Sequence, residues 1–172
     1  MPKSEALSTL SRGQLEDLIE IYCKNWLAMD GVWFQQVEAT YGMDAAMDCD
    51  AAIWERFTAI EAQKIKKFLE LPEHAGLDGL EKAMRLRLYA NINHEEYTRE
   101  GDTLLYRTLD CRVQSARMRK GMPPHPCIAA GIPEFTGFAH VIDERIVCEV
   151  VSCYPETTDD TCACAWRFTL KK

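Results

Sequence analysis

The sequence predicts an α+β domain in which a helical N-terminal half packs on a four-stranded antiparallel sheet. Apolar residues recur at helical spacing through the first half of the chain, and the period changes to alternation after residue 88. Two helices then separate two pairs of strands, an order that is typical of α+β folds. At 172 residues we expect a single domain, helical over residues 1–88 and sheet-containing and cysteine-rich over residues 89–172.

The first two predicted helices follow a short lead-in. Residues 11–14 read Ser-Arg-Gly-Gln, which is the pattern of a capping box at a helix start. The apolar stripe that follows predicts a helix to about residue 29, and Asp30 with Gly31 predicts a break. A second short helix should end at Gly42, because glycine is favoured just past a helix C-terminus.

A long third helix and a short fourth one complete the helical half. Asp44 is the expected cap of the third helix, which should run to about residue 69 because Pro72 stops it. Asp78 is the expected cap of the fourth, over residues 80–88. We interpret the acidic residues on the early turns of the third helix as solvated charges near its positive end, and they are Asp44, Asp48 and Asp50.

The second half alternates strands and helices. Polar residues on both faces make its first strand an expected sheet edge. Asp110 is expected to cap the first helix and Gly121 to end it, whereas three prolines exclude regular structure from residues 122–127. The predicted elements are strands over residues 89–99 and 103–109, helices over 110–120 and 128–143, and strands over 146–154 and 162–170.

Composition and charge exclude several classes of function. The net charge of −7 argues against nonspecific binding to nucleic acid or to an anionic membrane. No apolar run approaches the roughly 20 residues that cross a bilayer, and the N-terminus lacks an apolar signal core. We therefore expect a cytoplasmic protein. A small basic pocket stays open as an alternative, because four cations cluster locally, namely Arg112, Arg117, Arg119 and Lys120.

Six of the eight cysteines lie between residues 111 and 164. In a reducing cytosol such clusters are more often metal ligands or redox groups than disulfides. Four converging thiolates would suit zinc or an iron–sulfur cluster. The spacing contains no CxxC pair, so an alternative is a set of free cysteines buried in the sheet core. The candidate ligands are Cys111, Cys127, Cys153 and Cys164, with Cys148 in reserve.

Local geometry sorts the cysteines of the last two strands. Cys162 and Cys164 should point to one face, because side chains alternate along a strand. Cys148 and Cys153 differ in parity, so on a regular strand they would face opposite ways. If the two strands form a hairpin, Cys153 lies near Cys162 or Cys164.

A thiol-dependent enzyme is the second class of function that the residues allow. Cys111 sits at a helix start, where the dipole would lower its pKa, and Cys127 sits in a loop stiffened by proline. Either is a candidate nucleophile, with His125 as a base unless it is an ordinary solvated loop histidine. No nucleophile elbow, nucleotide-binding loop or HExxH motif is present.

A set of charged residues flanks apolar positions and is expected to be partly buried. Buried charges need partners, so these side chains either form salt bridges or bind a small carboxylate through an arginine fork. Arg117 is the candidate carboxylate receptor. The set comprises Arg117, Glu134, Asp143 and Arg145, of which Arg117, Glu134 and Arg145 are the ligand-binding candidates.

A string of motifs over about residues 105–170 carries a family resemblance. It includes Cys111-x-Val-Gln114-x-Ala-Arg117-x-x-x-Gly121, Pro126-Cys127, Gly131-x-x-Glu134, Ile142-Asp143-x-Arg145, Cys148, Cys153 and Cys164-Ala-Trp166. These motifs resemble an uncharacterised family of small cytosolic proteins of bacteria and archaea. That family is similar to L-2-amino-thiazoline-4-carboxylic acid hydrolase-like proteins and, distantly, to 4-vinyl reductase-type ligand-binding domains.

The residues and the resemblance together leave three functions open. The first is a domain that binds a metal or a small ligand through its cysteines, which in the family pattern are those at 111, 127, 148, 153 and 164. The second is a hydrolase of a small cyclic amide-like substrate, or another thiol-dependent enzyme. The third is a structural protein, for which Trp26 and Trp33 could form a homodimer interface, although core packing is the stronger interpretation of both.

Overall fold

The computed structural model describes residues 4–171 and has the α+β architecture that the sequence predicts. Long helices occupy the N-terminal half, and a four-stranded sheet lies in the C-terminal half. None of the helices within residues 4–171 combines the length and apolar character that a membrane crossing requires. The elements are α1 (Arg12–Tyr41), α2 (Met43–Phe68), α3 (Gly76–Met84), β1 (His94–Glu100), β2 (Thr103–Asp110), α4 (Arg112–Arg119), α5 (Ile128–Ile142), β3 (Ile146–Cys153) and β4 (Cys164–Leu170).

The sheet has the order β1-β2-β4-β3, and every neighbouring pair is antiparallel. The polar first strand is an edge, as predicted. On β2 every second residue is buried, so one face of the sheet is covered. The inward cross-strand pairs of β2 and β4 are Leu104 with Phe168, Tyr106 with Trp166, and Thr108 with Cys164.

A bulge in β3 changes which face its cysteines occupy. The pairing with β4 shifts between Val150 and Ser152, so the strand carries one extra residue there. Cys148 lies opposite Phe168, and Cys153 lies opposite Cys164. Both partners occupy the same face of β4, so the prediction that Cys148 and Cys153 face opposite ways is wrong. The predicted hairpin neighbour of Cys153 is confirmed as Cys164.

Helix α5 lies between the sheet and α2. It packs on β3 and extensively on α2, and its apolar face buries Phe138 and Ile142 against Trp166 and Phe168 of the sheet. Leu80 of α3 joins the same cluster. The core therefore contains residues from both halves of the sequence. A site between the helices and the sheet can be lined by both halves.

The capping box is confirmed, but the predicted break in the first helix is wrong. The Ser11 side chain accepts a hydrogen bond from the Gln14 backbone, and the Gln14 side chain accepts one from the Ser11 backbone. Helix α1 then continues through Gly31, which costs only about 1 kcal/mol in a helix interior. Gly42 ends α1 at a φ of 89° and also precedes α2, so Asp44 lies inside the first turn of α2 and is not its cap.

The start of α3 also differs from the prediction. The helix begins at Gly76, four residues early, so Asp78 lies in its first turn. The N–H of Gly76, at the start of the helix, donates to the Asp143 carboxylate at 2.9 Å. The acceptor for this N–H therefore comes from a distant part of the chain and not from a nearby cap residue. Arg145 donates to the same carboxylate, and its hydrogen bonds hold the pKa of Asp143 well below the usual range.

Several boundaries in the second half differ from the prediction, and β4 begins at Cys164 rather than residue 162. The first strand begins at His94 rather than residue 89, because residues 89–91 form a 3₁₀ turn. The Asn91 side chain holds that turn by donating to the Arg87 carbonyl at 2.9 Å. Asp110 is the last residue of β2 and accepts from the Ser115 hydroxyl, so it does not occupy the cap position of α4.

Candidate active site

A cavity of about 370 Å³ opens between α1 and α4 and reaches inward to α2, α5 and the sheet. Its walls come from both halves of the chain, because the cavity lies where the helices of the first half meet the sheet and helices of the second. Four of the predicted cysteines converge on it, namely Cys111, Cys127, Cys153 and Cys164. All eight cysteines of the chain are free thiols in the structure.

One wall of the cavity carries a thiol, an imidazole and a carboxylate in series. The Cys127 Sγ lies 3.2 Å from Nδ1 of His125. The other ring nitrogen, Nε2, lies 3.3 Å from the Asp50 carboxylate. A carboxylate accepts hydrogen bonds, so this contact selects the imidazole form with its proton on Nε2 and leaves Nδ1 to accept from the thiol. This is the geometry of a Cys–His–Asp triad.

The imidazole of His125 is held on three sides. It is only 7% exposed, so it is not a solvated loop histidine. Asp50 and Cys127 contact its two nitrogens, and the Phe34 ring lies with its centroid 4.5 Å from that of the imidazole. A base that is fixed in this way needs little reorganisation to accept a proton.

Gln114 holds the backbone of the loop that carries His125 and Cys127. Its Oε1 accepts from the His125 N–H at 3.0 Å, and its Nε2 donates to the His125 carbonyl at 2.8 Å. The same Nε2 lies 3.1 Å from the Cys127 Sγ. The side-chain amide therefore fixes the loop in register and donates a hydrogen bond to the sulfur.

Arg117 holds the other end of this loop. Its two terminal nitrogens each donate to the Glu38 carboxylate at 2.8 Å, and its Nε donates to the Pro123 carbonyl. The Arg117 hydrogen bonds are the largest influence that lowers the pKa of Glu38. The predicted carboxylate receptor is thus already neutralised by a carboxylate of α1.

The thiols around the cavity are neutral at rest. Burial, reinforced by the neighbouring thiols, raises the pKa of Cys127 well above its ordinary value. Burial raises the pKa of Cys164 to about 12. It also raises the pKa of Cys111, because desolvation outweighs the hydrogen bonds from the N–H groups of Gln114 and Val113. The prediction that the helix start lowers the Cys111 pKa is therefore wrong.

A buried arginine is shared by two acids at the inner end of the cavity. Arg87, 3% exposed, donates to Glu61 at 2.9 Å and to Glu134 at 2.6 Å. One cation cannot balance two buried carboxylates, and burial raises the pKa of Glu134 to about 7 against the opposing charge of Arg87. Glu134 lines the cavity, and its carboxyl is protonated more readily than that of Asp30, whose pKa burial and Asp50 raise to about 6.

A tryptophan of β4 presents an unused donor in the same region. The indole Nε1–H of Trp166 is the one buried side-chain polar atom within residues 4–171 that lacks a hydrogen-bond partner. Gly131 leaves room for this ring, since a Cβ there would lie 2.6 Å from the Trp166 Cζ2. Buried donors are normally paired, so the donor fits a ligand that brings an acceptor to the cavity.

The predicted metal ligands come together only in part. Cys148 lies on β3 outside the cavity wall, against the core. Among residues 4–171, no group of three or more His, Cys, Asp or Glu side chains is arranged to hold a metal ion. A site for zinc or an iron–sulfur cluster at these cysteines stays a prediction.

The charged residues expected to form one polar set occupy three separate places. Arg117 pairs with Glu38, and Glu134 pairs with Arg87. Asp143 and Arg145 pair with each other near the start of α3, away from the residues that line the cavity. Arg117 and Glu134 line the cavity, whereas Arg145 does not, and ligand binding by the three stays a prediction.

Sequence reasoning missed Asp50 and Gln114, although each left a signal. The prediction that Asp50 is solvated is wrong, because it is 8% exposed and falls in a buried stripe of α2 with Met47 and Trp54. A carboxylate at an apolar stripe position needs a partner, and that spacing was visible. Gln114 was seen only as part of a motif, and its contact with His125 depends on the path of a loop that spacing does not give.

The chain belongs to a family of unknown function, DUF6125, whose model matches residues 8–170. This confirms the expectation of an uncharacterised family from the C-terminal motifs, and it extends the match over the N-terminal helices. No curated protein and no solved structure matches the chain. The resemblance to thiazoline-carboxylate hydrolases and to vinyl reductase-type domains stays a prediction.

Proposed function

We propose that this protein binds a small, largely apolar molecule in its cavity and acts on it through the Cys127 thiol, as a thiol-dependent acyl-transfer enzyme or hydrolase. The series Cys127, His125 and Asp50 is the observation that carries the proposal. A nucleophile within reach of a base that is itself oriented by a third group is the usual signature of nucleophilic catalysis.

The first step of the proposed reaction uses the neutral thiol. As the Cys127 Sγ forms a bond to the substrate carbonyl carbon, its proton moves to Nδ1 of His125. The imidazolium that forms is stabilised by Asp50. The Gln114 N–H next to the sulfur supports the oxyanion. The tetrahedral adduct collapses to a thioester as the leaving group takes the proton from His125.

Water completes the proposed hydrolysis. His125 takes a proton from water as the water oxygen attacks the thioester carbonyl, and the proton passes to Sγ as the thiol leaves. The product is a carboxylic acid, and the enzyme returns to its starting protonation. A strained cyclic amide-like substrate, which the sequence resemblance suggests, would follow the same steps with its ring nitrogen as the leaving group.

Small-ligand binding without chemistry is the second candidate. It is favoured by the unpartnered Trp166 N–H and by the apolar wall that surrounds it. In this case the cysteines would line the cavity as small apolar groups. A metal at these cysteines is a further proposal of the sequence, without support from the arrangement of the side chains.

Acylation by activated esters tests the proposal directly. Incubation with 4-nitrophenyl acetate and 4-nitrophenyl butyrate should release a burst of nitrophenolate and add one acyl group to Cys127, detected by intact mass and peptide mapping. Cys127→Ala should abolish the burst, because the nucleophile is gone.

Cys49→Ala provides the matched control, because Cys49 is an exposed thiol away from the cavity. This variant should retain the burst at Cys127. Acylation that maps to Cys49, or a burst that survives in Cys127→Ala, would overturn the role of Cys127 and leave ligand binding as the better proposal.

A further inference from the structure

The cavity mouth is positively charged although the chain as a whole is acidic. Several exposed or half-buried cations of α1 and α4 line it, in a protein whose net charge is −7. Two of these cations are engaged by neighbours. Lys24 pairs with Glu20 at 2.5 Å, and Lys120 donates to Gln35 at 3.0 Å.

The remaining two cations of the mouth are Arg112 and Arg119, the α4 arginine pair. They are seven residues apart, or about two helical turns, so both lie on the face of α4 that borders the cavity. Neither guanidinium forms an ion pair with a side chain of residues 4–171. Arg117 on the same helix differs, because Glu38 neutralises it.

The charges deeper in the cavity have the opposite sign. Asp50 contacts the His125 imidazole, and Glu61 and Glu134 share the single cation of Arg87. A negative group on a ligand would be repelled there and attracted at the mouth. An anionic ligand therefore has one favourable orientation, with its charge at α4 and its apolar part toward Cys127.

We infer that the α4 arginine pair is the receptor for a carboxylate, and that the natural substrate is a small carboxylic acid whose apolar body carries the group that reacts at Cys127. Guanidinium forks recognise carboxylates through paired hydrogen bonds, and Arg112 is half-buried, where such bonds are stronger than in water. The inference rests on the proposed function for the identity of the reacting thiol, but the receptor itself acts before any chemistry.

Calorimetric binding of 4-phenylbutyrate and of its neutral amide, 4-phenylbutyramide, tests the receptor. Both are measured with Cys127→Ala, so that no reaction at the thiol contributes. We expect the acid to bind at least about tenfold more tightly than the amide, since one charge-assisted contact is worth this much. The preference should shrink at high salt, because the mouth is open to solvent.

Further substitutions in the Cys127→Ala protein locate the receptor. Arg112→Gln with Arg119→Gln should remove the preference for the acid, whereas Arg56→Gln, an exposed arginine of α2 outside the cavity, should leave it intact. Circular dichroism checks that each variant is folded. If the double variant does not fold, either single variant replaces it. Equal binding of acid and amide, no binding of the acid in the millimolar range, or a preference that survives the double change would overturn the receptor.

The failure of this inference and of the proposed function are distinguishable. An acid preference that depends on the α4 arginine pair, together with no acylation of Cys127 in the unmodified protein, would support a carboxylate receptor in a binding protein. Acylation of Cys127 without any acid preference would support the enzyme and overturn the receptor.

Discussion

At the scale of single residues, the protonation of Cys127 decides how the site can react. A thiol that is desolvated and surrounded by other thiols keeps its proton, since burial raises its pKa. In the proposed reaction the imidazole of His125 therefore acts as a general base during attack, rather than as the partner of a preformed thiolate. Asp50 prepares the imidazole for this by fixing the ring and its tautomer.

A second residue-scale feature is the carboxyl of Glu134, whose pKa is about 7 in the fold and 4.5 ordinarily. Between these values the folded state binds more protons than the unfolded state, so the Glu134 contribution to stability is lost as pH rises from about 5 to 8. Glu134→Gln should remove this loss and raise the free energy of unfolding by roughly 1–3 kcal/mol at pH 8, with little change at pH 5.

Urea unfolding of the Glu134→Gln variant at both pH values measures the effect. Glu149→Gln is the matched control, because that carboxylate is on the surface with a side chain 60% exposed. A Glu134→Gln variant that is less stable than the parent at pH 8 would show that Glu134 is ionised and held firmly by Arg87.

Residues close in sequence were predictable as a site, and distant partners were not. His125 and Cys127 are two positions apart in a proline-rich loop, so their contact could be predicted. Asp50 lies 75 residues before His125, and Glu38 lies 79 residues before Arg117. Their contacts depend on how the helices pack, which local patterns do not specify. Arg117 binds the Glu38 carboxylate of α1, a partner that the sequence did not predict.

At the scale of elements, the close approach of α2 and α5 positions the site. Asp50 comes from α2, and Cys127 immediately precedes α5. Gly137 of α5 faces the fully buried Thr58 of α2, whose hydroxyl donates to the Glu134 carbonyl at 2.7 Å. The absence of a side chain at Gly137 allows this approach.

Gly137→Ala should destabilise the protein by about 1–3 kcal/mol, although alanine is the better helix former. Its Cβ would lie 2.7 Å from the Thr58 Cγ2, so the two helices must separate. Gly13→Ala is the control, because a Cβ at this position of α1 meets nothing within 4 Å. Thermal unfolding should show a lower Tm for the first variant only. An equal effect of both substitutions would mean that this packing does not depend on Gly137.

Elements with local signals in the sequence were predicted well. Where an element depends on distant contacts, its predicted boundary or face was wrong. The capping box at Ser11 gave the start of α1, and alternation gave β2. The start of α3 moved because the Asp143 carboxylate binds its first N–H from across the fold. The β3 bulge changed the face of Cys153, and one extra residue in a strand leaves no clear pattern in the sequence.

At the scale of the whole molecule, the two halves of the chain form the cavity together. Helices α1 and α2 supply the acid that orients the base and the anchor for the loop, whereas the second half supplies the loop and the thiols. Exposed apolar side chains remain on α1, including Tyr22, Met29 and Trp33. The homodimer that the sequence suggested through Trp33 stays a prediction, and so does a cytoplasmic location.

The alkylation rate of Cys127 as a function of pH tests the central claim most directly. Iodoacetamide labelling of Cys127 is followed by peptide mass in the unmodified protein and in His125→Gln. If His125 acts as the base, the unmodified protein should react at pH 7 at least about tenfold faster than the variant. The variant should become reactive only at alkaline pH. Without the base the Cys127 thiol must ionise before it reacts, and its raised pKa delays ionisation to that range. Coincident profiles for the two proteins would contradict the catalytic pairing of His125 with Cys127.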